Sequence, residues 1–195
     1  MKFRLGRIEL TISPLCFIIT AALFVIDKSG IMSVSVICSL VHELSHIAVM
    51  NLMRCPPRRI EIKPYGMLIE GGPCGDLSAC VTAAAGPTAN LAFAAACFAL
   101  FEYNGEYFFV LTAVVNLMIA LINILPVRGL DGGEILEVIL KRAAGDESGN
   151  RIFSVISYGF TLVCSVLGLW LLIIKGNITL ALMSLYLLLL NLYKF

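Results

Sequence analysis

The residues best suited to chemistry are the two histidines of this chain, which stand in the stretch His42-Glu43-Leu44-Ser45-His46. On a helix, two histidines four positions apart share one face, and the H-E-x-x-H pattern is typical of zinc metalloproteases, in which the glutamate is the general base. The stretch lies inside an apolar run, residues 31–53, where ionisable side chains are costly and usually functional. We therefore predict a metal site with His42 and His46 as ligands. Histidines that only bond to neighbouring helices are the alternative.

A catalytic zinc ion usually takes three protein ligands, so a third ligand must come from elsewhere in the chain. Asp131 is a candidate because Gly132 and Gly133 follow it, and glycines let the backbone approach closely. The alternative role for Asp131 is that of an N-cap for the helix that follows it. Five other carboxylates remain possible on the residues alone: Glu134, Glu137, Glu61, Glu70 and Asp76.

The composition predicts a membrane protein. Of 195 residues, 59% are hydrophobic and 14% charged, and the mean hydropathy is +0.95, which excludes an ordinary soluble domain. We predict an all-α polytopic membrane protein with about six transmembrane helices, each of roughly 20 residues, as one domain over residues 1–195. The apolar runs are residues 10–26, 31–53, 77–101, 107–125, 152–174 and 178–192. The apolar composition predicts a lipid bilayer as the surroundings. Because the sequence has no basic block, we do not expect nucleic acid as a partner.

A polar segment, residues 54–76, separates the second and third runs. Ile60-Glu61-Ile62-Lys63 and Met67-Leu68-Ile69-Glu70 flank Pro64-Tyr65-Gly66, which predicts a small β-hairpin. An exposed edge at residues 60–62 would add an extended substrate peptide by backbone pairing; a plain connecting loop is the alternative. Further along, we predict a mildly amphipathic helix to about Ala143 and a polar linker over residues 145–150.

The basic residues predict the orientation. If the N-terminus is cytoplasmic, all of the 14 lysines and arginines except Lys28 and Lys175 fall on the cytoplasmic side of a six-span arrangement. Cytoplasmic loops of membrane proteins carry such an excess. We therefore expect a multi-pass protein of the cell membrane with both termini in the cytoplasm.

The cysteines predict no disulfide framework and no second metal site. They number seven, and no C-x-x-C occurs. Several stand inside apolar runs, where a thiol acts as a small buried hydrophobic side chain.

Three motifs in their order along the chain resemble the site-2 protease family of intramembrane zinc metalloproteases, most of all the compact bacterial branch that contains stage IV sporulation protein FB. The zinc motif is the stretch 42–46 described above. Gly86-Pro87-Thr88-Ala89-Asn90 opens the next span, and Asn123-Ile124-Leu125-Pro126 precedes Leu130-Asp131-Gly132-Gly133. The resemblance extends over essentially the whole chain, although a PDZ-like insertion and a C-terminal regulatory domain, present in some relatives, are not expected here.

The resemblance implies a role for each matching residue. Asp131 would be the third ligand of one zinc ion per chain, beside His42 and His46. Glu43 would be the general base, and Asn123 would lie near the reacting carbonyl, although an interhelical hydrogen bond is an equally good role for it. Asn90 would pack helices or orient a ligand.

The function implied is that of an intramembrane zinc metalloendopeptidase that cuts membrane-protein substrates in or near a transmembrane segment during regulated intramembrane proteolysis. Its expected partners are the substrate and regulatory membrane proteins. Two other classes stay open: a membrane ion or metal carrier, whose ionisable groups would relay protons or a passing metal, and a catalytically silent membrane scaffold.

Overall fold

The computed structural model describes residues 2–5, 8–63, 66–71, 75–176 and 178–192. The chain divides into two compact units, Met1–Ile122 and Asn123–Phe195. The elements of the chain are, in order, β1 (Lys2–Leu5), β2 (Ile8–Ile12), α1 (Pro14–Ile26), α2 (Ile31–Leu52), β3 (Pro57–Lys63), β4 (Gly66–Gly71), α3 (Asp76–Asn104), α4 (Tyr107–Asn123), α5 (Asp131–Ala144), α6 (Asp146–Lys175) and α7 (Thr179–Leu192).

The first unit contains a four-stranded sheet in the order β1-β2-β3-β4. β1 and β2 pair antiparallel, β2 and β3 parallel, and β3 and β4 antiparallel. The predicted hairpin is confirmed as β3 and β4; Pro64 and Tyr65, predicted as its turn, lie outside the described residues. The all-α prediction is wrong for the N-terminal residues: the sequence of β2 alternates apolar and polar residues, a pattern that favours a strand, and the first helix begins at Pro14, not at residue 10.

The prediction of an exposed edge at residues 60–62 is also wrong. Ile60 pairs with Leu10 of β2 and with Ile69 of β4, so β3 lies inside the sheet with both backbone edges in use. Among the described strands, β4 pairs with β3 alone. Any edge available for a peptide on this side of the sheet therefore belongs to β4.

Three of the described helices are long and apolar enough to cross a membrane: α2, α3 and α6, with 22, 29 and 30 residues. The helices α1, α4 and α7 are apolar but shorter, with 13, 17 and 14 residues. At about 1.5 Å per residue, α1 is roughly 20 Å long against a hydrocarbon core of about 30 Å. The described part of the chain therefore has three helices that could span a membrane, and the count of six stays a prediction.

In the second unit, only Gly145 separates α5 from α6. The prediction of a polar linker over residues 145–150 is therefore wrong. α6 already begins at Asp146, and its first turn is acidic, which favours a helix N-terminus through the helix dipole. Gly145 has φ +83° and supplies the break between the two helices. Three residues after the start of α6, a Cβ atom on Gly149 would lie 2.5 Å from the backbone of Lys141, so the absence of a side chain lets α5 and α6 pack closely.

The cysteines behave only partly as predicted. Cys16, Cys38, Cys80, Cys97 and Cys164 are free thiols, as expected for small apolar side chains in helices. Cys55, between α2 and β3, is disulfide-bonded, which corrects the prediction for that residue. Cys74 lies outside the described residues.

Candidate metal centre

The metal motif lies in α2, on the side of the helix that packs inward. The buried residues of α2 recur every four positions and are Val34, Cys38, His42, His46 and Met50. The i, i+4 spacing of the histidines therefore coincides with the buried stripe that the helix repeat dictates. His42 and His46 are 4% and 7% exposed, respectively. Their ring centroids lie 4.8 Å apart, so two imidazoles share one buried position.

Each histidine has its Nδ1 atom engaged by α3. His46 Nδ1 lies 2.7 Å from the backbone carbonyl oxygen of Thr82, and His42 Nδ1 lies 3.0 Å from Oδ1 of Asn90. A carbonyl oxygen only accepts hydrogen bonds, so Nδ1 of His46 carries the proton and its Nε2 keeps a lone pair. A metal-binding histidine usually has this arrangement, with the second nitrogen held by a carbonyl or carboxylate. Asn90, fully buried, therefore contacts His42 as an orienting residue would, and its role stays a prediction.

Gly86 leaves the space next to both imidazoles open. It lies in α3, and a Cβ atom built on it would be 2.5 Å from Nε2 of His46 and 2.6 Å from Nε2 of His42. Both distances are too short for a side-chain carbon. Only glycine therefore lets α3 approach the Nε2 atoms of both imidazoles this closely.

Asp131 is the first residue of α5 and is half-buried. The N-cap is Leu130, so the alternative that Asp131 is the N-cap is wrong. The two glycines behave as predicted, because a Cβ atom on Gly132 would collide with the backbone of Ile124, and one on Gly133 with that of Val127. The first turn of α5 is thus pressed against the loop that precedes it.

That loop is fixed to α6 by Arg128. Its backbone N–H donates to Oγ of Ser157 at 3.0 Å, and the same hydroxyl donates to Oδ1 of Asn191 in α7 at 2.6 Å. The Arg128 guanidinium lies 5.2 Å from the ring centre of Phe153, which is fully buried. The backbone three residues before Asp131 therefore has a fixed position on α6.

Within the described residues, the candidate ligand set for a metal ion is His42 and His46 of the first unit together with Asp131 of the second. Two imidazole nitrogens and one carboxylate oxygen are a donor set that catalytic zinc uses. The residues therefore fit the metal that the motif predicts.

None of the rival carboxylates belongs to this group. Glu61 is engaged by Arg59 and by Lys63, whose Nζ lies 3.0 Å from it. Glu137 pairs with Lys141 at 2.6 Å. Glu70, Asp76 and Glu134 also stand outside the group.

The remaining two predicted residues lie on different helices. Glu43 is half-buried on α2, next to His42 along the chain, and Asn123 is the half-buried last residue of α4. Their predicted roles as base and as carbonyl-binding group stay predictions.

Sequence reasoning missed two contributors to this centre. The carbonyl of Thr82 has no residue-specific signal, because any residue supplies a carbonyl. Asn116, only 2% exposed on α4, accepts a hydrogen bond from Asn90 at 3.0 Å. A lone asparagine in an apolar helix is the signal that could have found it, since such groups are buried only with partners.

The known proteins to which this chain is similar belong to one class, the site-2 proteases and related peptidases. Residues 100–167 match the model of Peptidase family M50, a range that includes Asn123 and Asp131. The predicted resemblance to the site-2 proteases is confirmed.

Particular relatives agree with this class. The chain is 26% identical over 174 residues to stage IV sporulation protein FB of Bacillus subtilis (strain 168), with 86% of this chain and 59% of that protein covered. It thus spans about three fifths of the length of this relative. In fold, it is similar to the solved structure of the site-2 protease from Methanocaldococcus jannaschii, with a TM-score of 0.75, 20% identity, and 98% of this chain and 93% of the other covered.

Proposed function

We propose that this protein is an intramembrane zinc metalloendopeptidase that hydrolyses peptide bonds in or near the transmembrane segment of membrane-protein substrates. One observation carries the proposal: two buried histidines on one helix both have Nδ1 engaged by α3, and Gly86 of α3 places no side chain against their Nε2 atoms. If the two histidines only stabilised packing, their rings would not need to share one orientation, with Nδ1 of each bonded to α3.

In this proposal His42, His46 and Asp131 hold one zinc ion. When bound, zinc supplies Lewis-acid chemistry: it polarises a peptide carbonyl and lets water lose a proton near neutral pH. The proton transfers are carried out by side chains of the protein. Glu43 takes the proton of the attacking water and passes it to the leaving amine, as a general base and then a general acid.

Asn123 stabilises the negative charge that develops on the carbonyl oxygen. A side-chain amide that donates a hydrogen bond to such an oxygen contributes about 2.7–4 kcal/mol in other enzymes. Its position at the C-terminal end of α4, eight residues before Asp131 in the sequence, supports this role. Replacement of Asn123 would therefore lower the turnover rate and leave bound zinc in place.

The substrate is a membrane protein whose cleaved segment becomes extended before hydrolysis, because a helical carbonyl is occupied by its own hydrogen bond. The edge of β4 offers backbone groups for such a segment, as in other peptide-binding sheets. Regulatory membrane proteins are the remaining partners we propose. With both termini in the cytoplasm, as the basic residues favour, the site opens towards the cytoplasmic side.

The experiment compares hydrolysis of a quenched fluorescent peptide library by the purified, zinc-supplemented protein with that by Glu43→Gln. We expect hydrolysis by the wild type, inhibition by a chelator, and a loss of at least about 100-fold in Glu43→Gln, since general base catalysis contributes roughly 10²–10⁴-fold. Hydrolysis that survives Glu43→Gln at the wild-type rate would contradict the proposal.

A further inference from the structure

Behind His42, a chain of buried amides leads away from the metal centre to the backbone of α4. Asn90 Nδ2 donates to Oδ1 of Asn116 at 3.0 Å. Asn116 Nδ2 donates in turn to the carbonyl oxygen of Thr112 at 2.9 Å and to Sγ of Cys38 at 3.1 Å. The two side chains between His42 and that carbonyl are buried, with Asn90 and Asn116 at 0% and 2% exposure, and Cys38 is 3% exposed.

The carbonyl of Thr112, at the end of this series of hydrogen bonds, determines which amide atom donates in each bond. The carbonyl of Thr112 only accepts, so Asn116 must turn its Nδ2 towards it and its Oδ1 towards Asn90. Asn90 must then turn Nδ2 towards Asn116, which leaves its Oδ1 to face His42. A weak second bond from Asn90 Nδ2 to the carbonyl of Cys38, at 3.5 Å, favours the same orientation.

The consequence reaches the metal-binding nitrogen. With Oδ1 of Asn90 facing it, Nδ1 of His42 must carry the proton, and Nε2 keeps the lone pair that a metal needs. If Asn90 turned over, its Nδ2 would face Nδ1, and the proton of His42 would move to Nε2. An unpaired buried amide costs about 1–3 kcal/mol, so the anchored orientation is strongly preferred.

We propose that Asn116 is a positioning residue that sets the tautomer of His42 through Asn90, as the Thr82 carbonyl does directly for His46. The inference rests on the proposed function only in that it takes Nε2 of both histidines as the zinc-binding atom. In this proposal α4 contributes to metal binding indirectly, through Asn116, and supplies no ligand.

The test uses the fact that the chain has only two histidines. Protein labelled with ¹⁵N-histidine gives four ring nitrogen signals, whose chemical shifts report the tautomer of each ring, and the measurement is made on metal-free protein in detergent. In the wild type we expect both histidines in the Nδ1–H form. In Asn116→Leu, which removes the amide at similar volume, His42 should become a mixture of tautomers while His46 stays unchanged.

His46 is the internal control, since general loosening of the fold would move the signals of both rings. Asn116→Ser, with a hydroxyl in place of the amide, is the second variant if Asn116→Leu does not fold, and the same result is expected. Ser184→Ala, which removes a buried hydroxyl that donates to the carbonyl of Ala181 within α7, should leave both histidines as in the wild type. Unchanged His42 signals, or equal changes in both histidines, would overturn the proposal.

Zinc affinity gives a second readout, by competition with a chromogenic chelator. Loss of a residue that supports a ligating histidine lowers metal affinity by about 10–100-fold, and we expect about 10-fold for Asn116→Leu because it acts through Asn90. Wild-type protein without zinc affinity would refute the proposed function, yet the tautomer result would still decide the role of Asn116. A normal affinity in Asn116→Leu beside a mixed tautomer would overturn its role in metal binding.

Discussion

At the scale of single residues, the absence of a side chain at Gly86 matters as much as the ligands. A Cβ atom there would stand 2.5–2.6 Å from the Nε2 atoms of His46 and His42, on the side where an ion must bind. The residue is in a helix, where alanine is intrinsically more favourable than glycine by about 1 kcal/mol. Glycine at this position is therefore explained by the two imidazoles and not by the helix.

Gly86→Ala should abolish tight zinc binding, because the imidazoles must move away from the new methyl group. Isothermal titration of the metal-free protein with zinc measures the effect. The control is Gly159→Ala in α6, where nothing lies within 4 Å of the added Cβ; it should bind zinc as the wild type does. Wild-type zinc affinity in Gly86→Ala would contradict the assigned geometry.

The candidate histidine ligands are predictable from the sequence, whereas the residues that contact them are only partly so. His42, Glu43 and His46 form a local pattern with a fixed chemical meaning. Asn116 becomes meaningful only when α4 supplies it as a partner for Asn90. A hydrogen bond between side chains 26 residues apart depends on how the helices pack, and the local spacing of residues does not predict that packing.

At the scale of elements, the loop before α5 depends on a hydroxyl of α6. Ser157→Ala removes the acceptor of the Arg128 N–H and the donor to Asn191. Each buried group left without a partner costs about 1–3 kcal/mol, so we expect a lower melting temperature and weaker zinc binding, since Asp131 follows this loop. Differential scanning fluorimetry and zinc competition measure the two effects.

Ser165→Ala is the matched control for that change. Its hydroxyl bonds to the carbonyl of Thr161 within the same helix, so its loss should leave zinc affinity unaltered. Equal zinc affinity in Ser157→Ala and Ser165→Ala would show that the loop does not position Asp131.

The sheet has its own pH dependence, centred on Glu61. A hydrogen bond from Lys63, together with the charges of Lys63 and Arg59, holds the pKa of Glu61 below its usual value of 4.5. A carboxyl group whose pKa is lower in the folded state stabilises the fold above 4.5, and this contribution is lost as the pH falls through the folded-state pKa.

We therefore expect the melting temperature of the wild type to fall on acidification below about pH 4.5 more steeply than that of Glu61→Gln, since only the wild type loses this ion pair. Glu70→Gln is the control, because Glu70 is exposed and lies 3.9 Å from Arg59; it should follow the wild type. Parallel melting curves for wild type and Glu61→Gln would contradict the assignment.

The elements also show where sequence reasoning fails for physical reasons. The β3–β4 hairpin was predictable because its pairing is local. The parallel pairing of β2 with β3 joins residues about fifty positions apart, such as Leu10 and Ile60, across α1 and α2. No local alternation reveals such a pairing. The sequence alone therefore predicts an exposed edge at β3 and the start of a membrane helix at residue 10, and both predictions are wrong.

At the scale of the whole molecule, the orientation in the membrane is a prediction from charge. We expect an epitope inserted after Ser29, between α1 and α2, to be accessible to antibody on spheroplasts without permeabilisation. One inserted after Gly145, between α5 and α6, should become accessible only after permeabilisation. The reverse pattern would contradict the cytoplasmic location of the termini and of the site.

The central claim is that one zinc ion is held by His42, His46 and Asp131, with Glu43 as a base that is not a ligand. The most direct measurement is the zinc content of the detergent-purified protein by mass spectrometry, for the wild type, Glu43→Gln and Asp131→Ala. We predict about one zinc per chain in the first two, as for a catalytic site with three protein ligands, and little in Asp131→Ala. A wild type without tightly bound metal, or an Asp131→Ala variant that keeps it, would contradict the account.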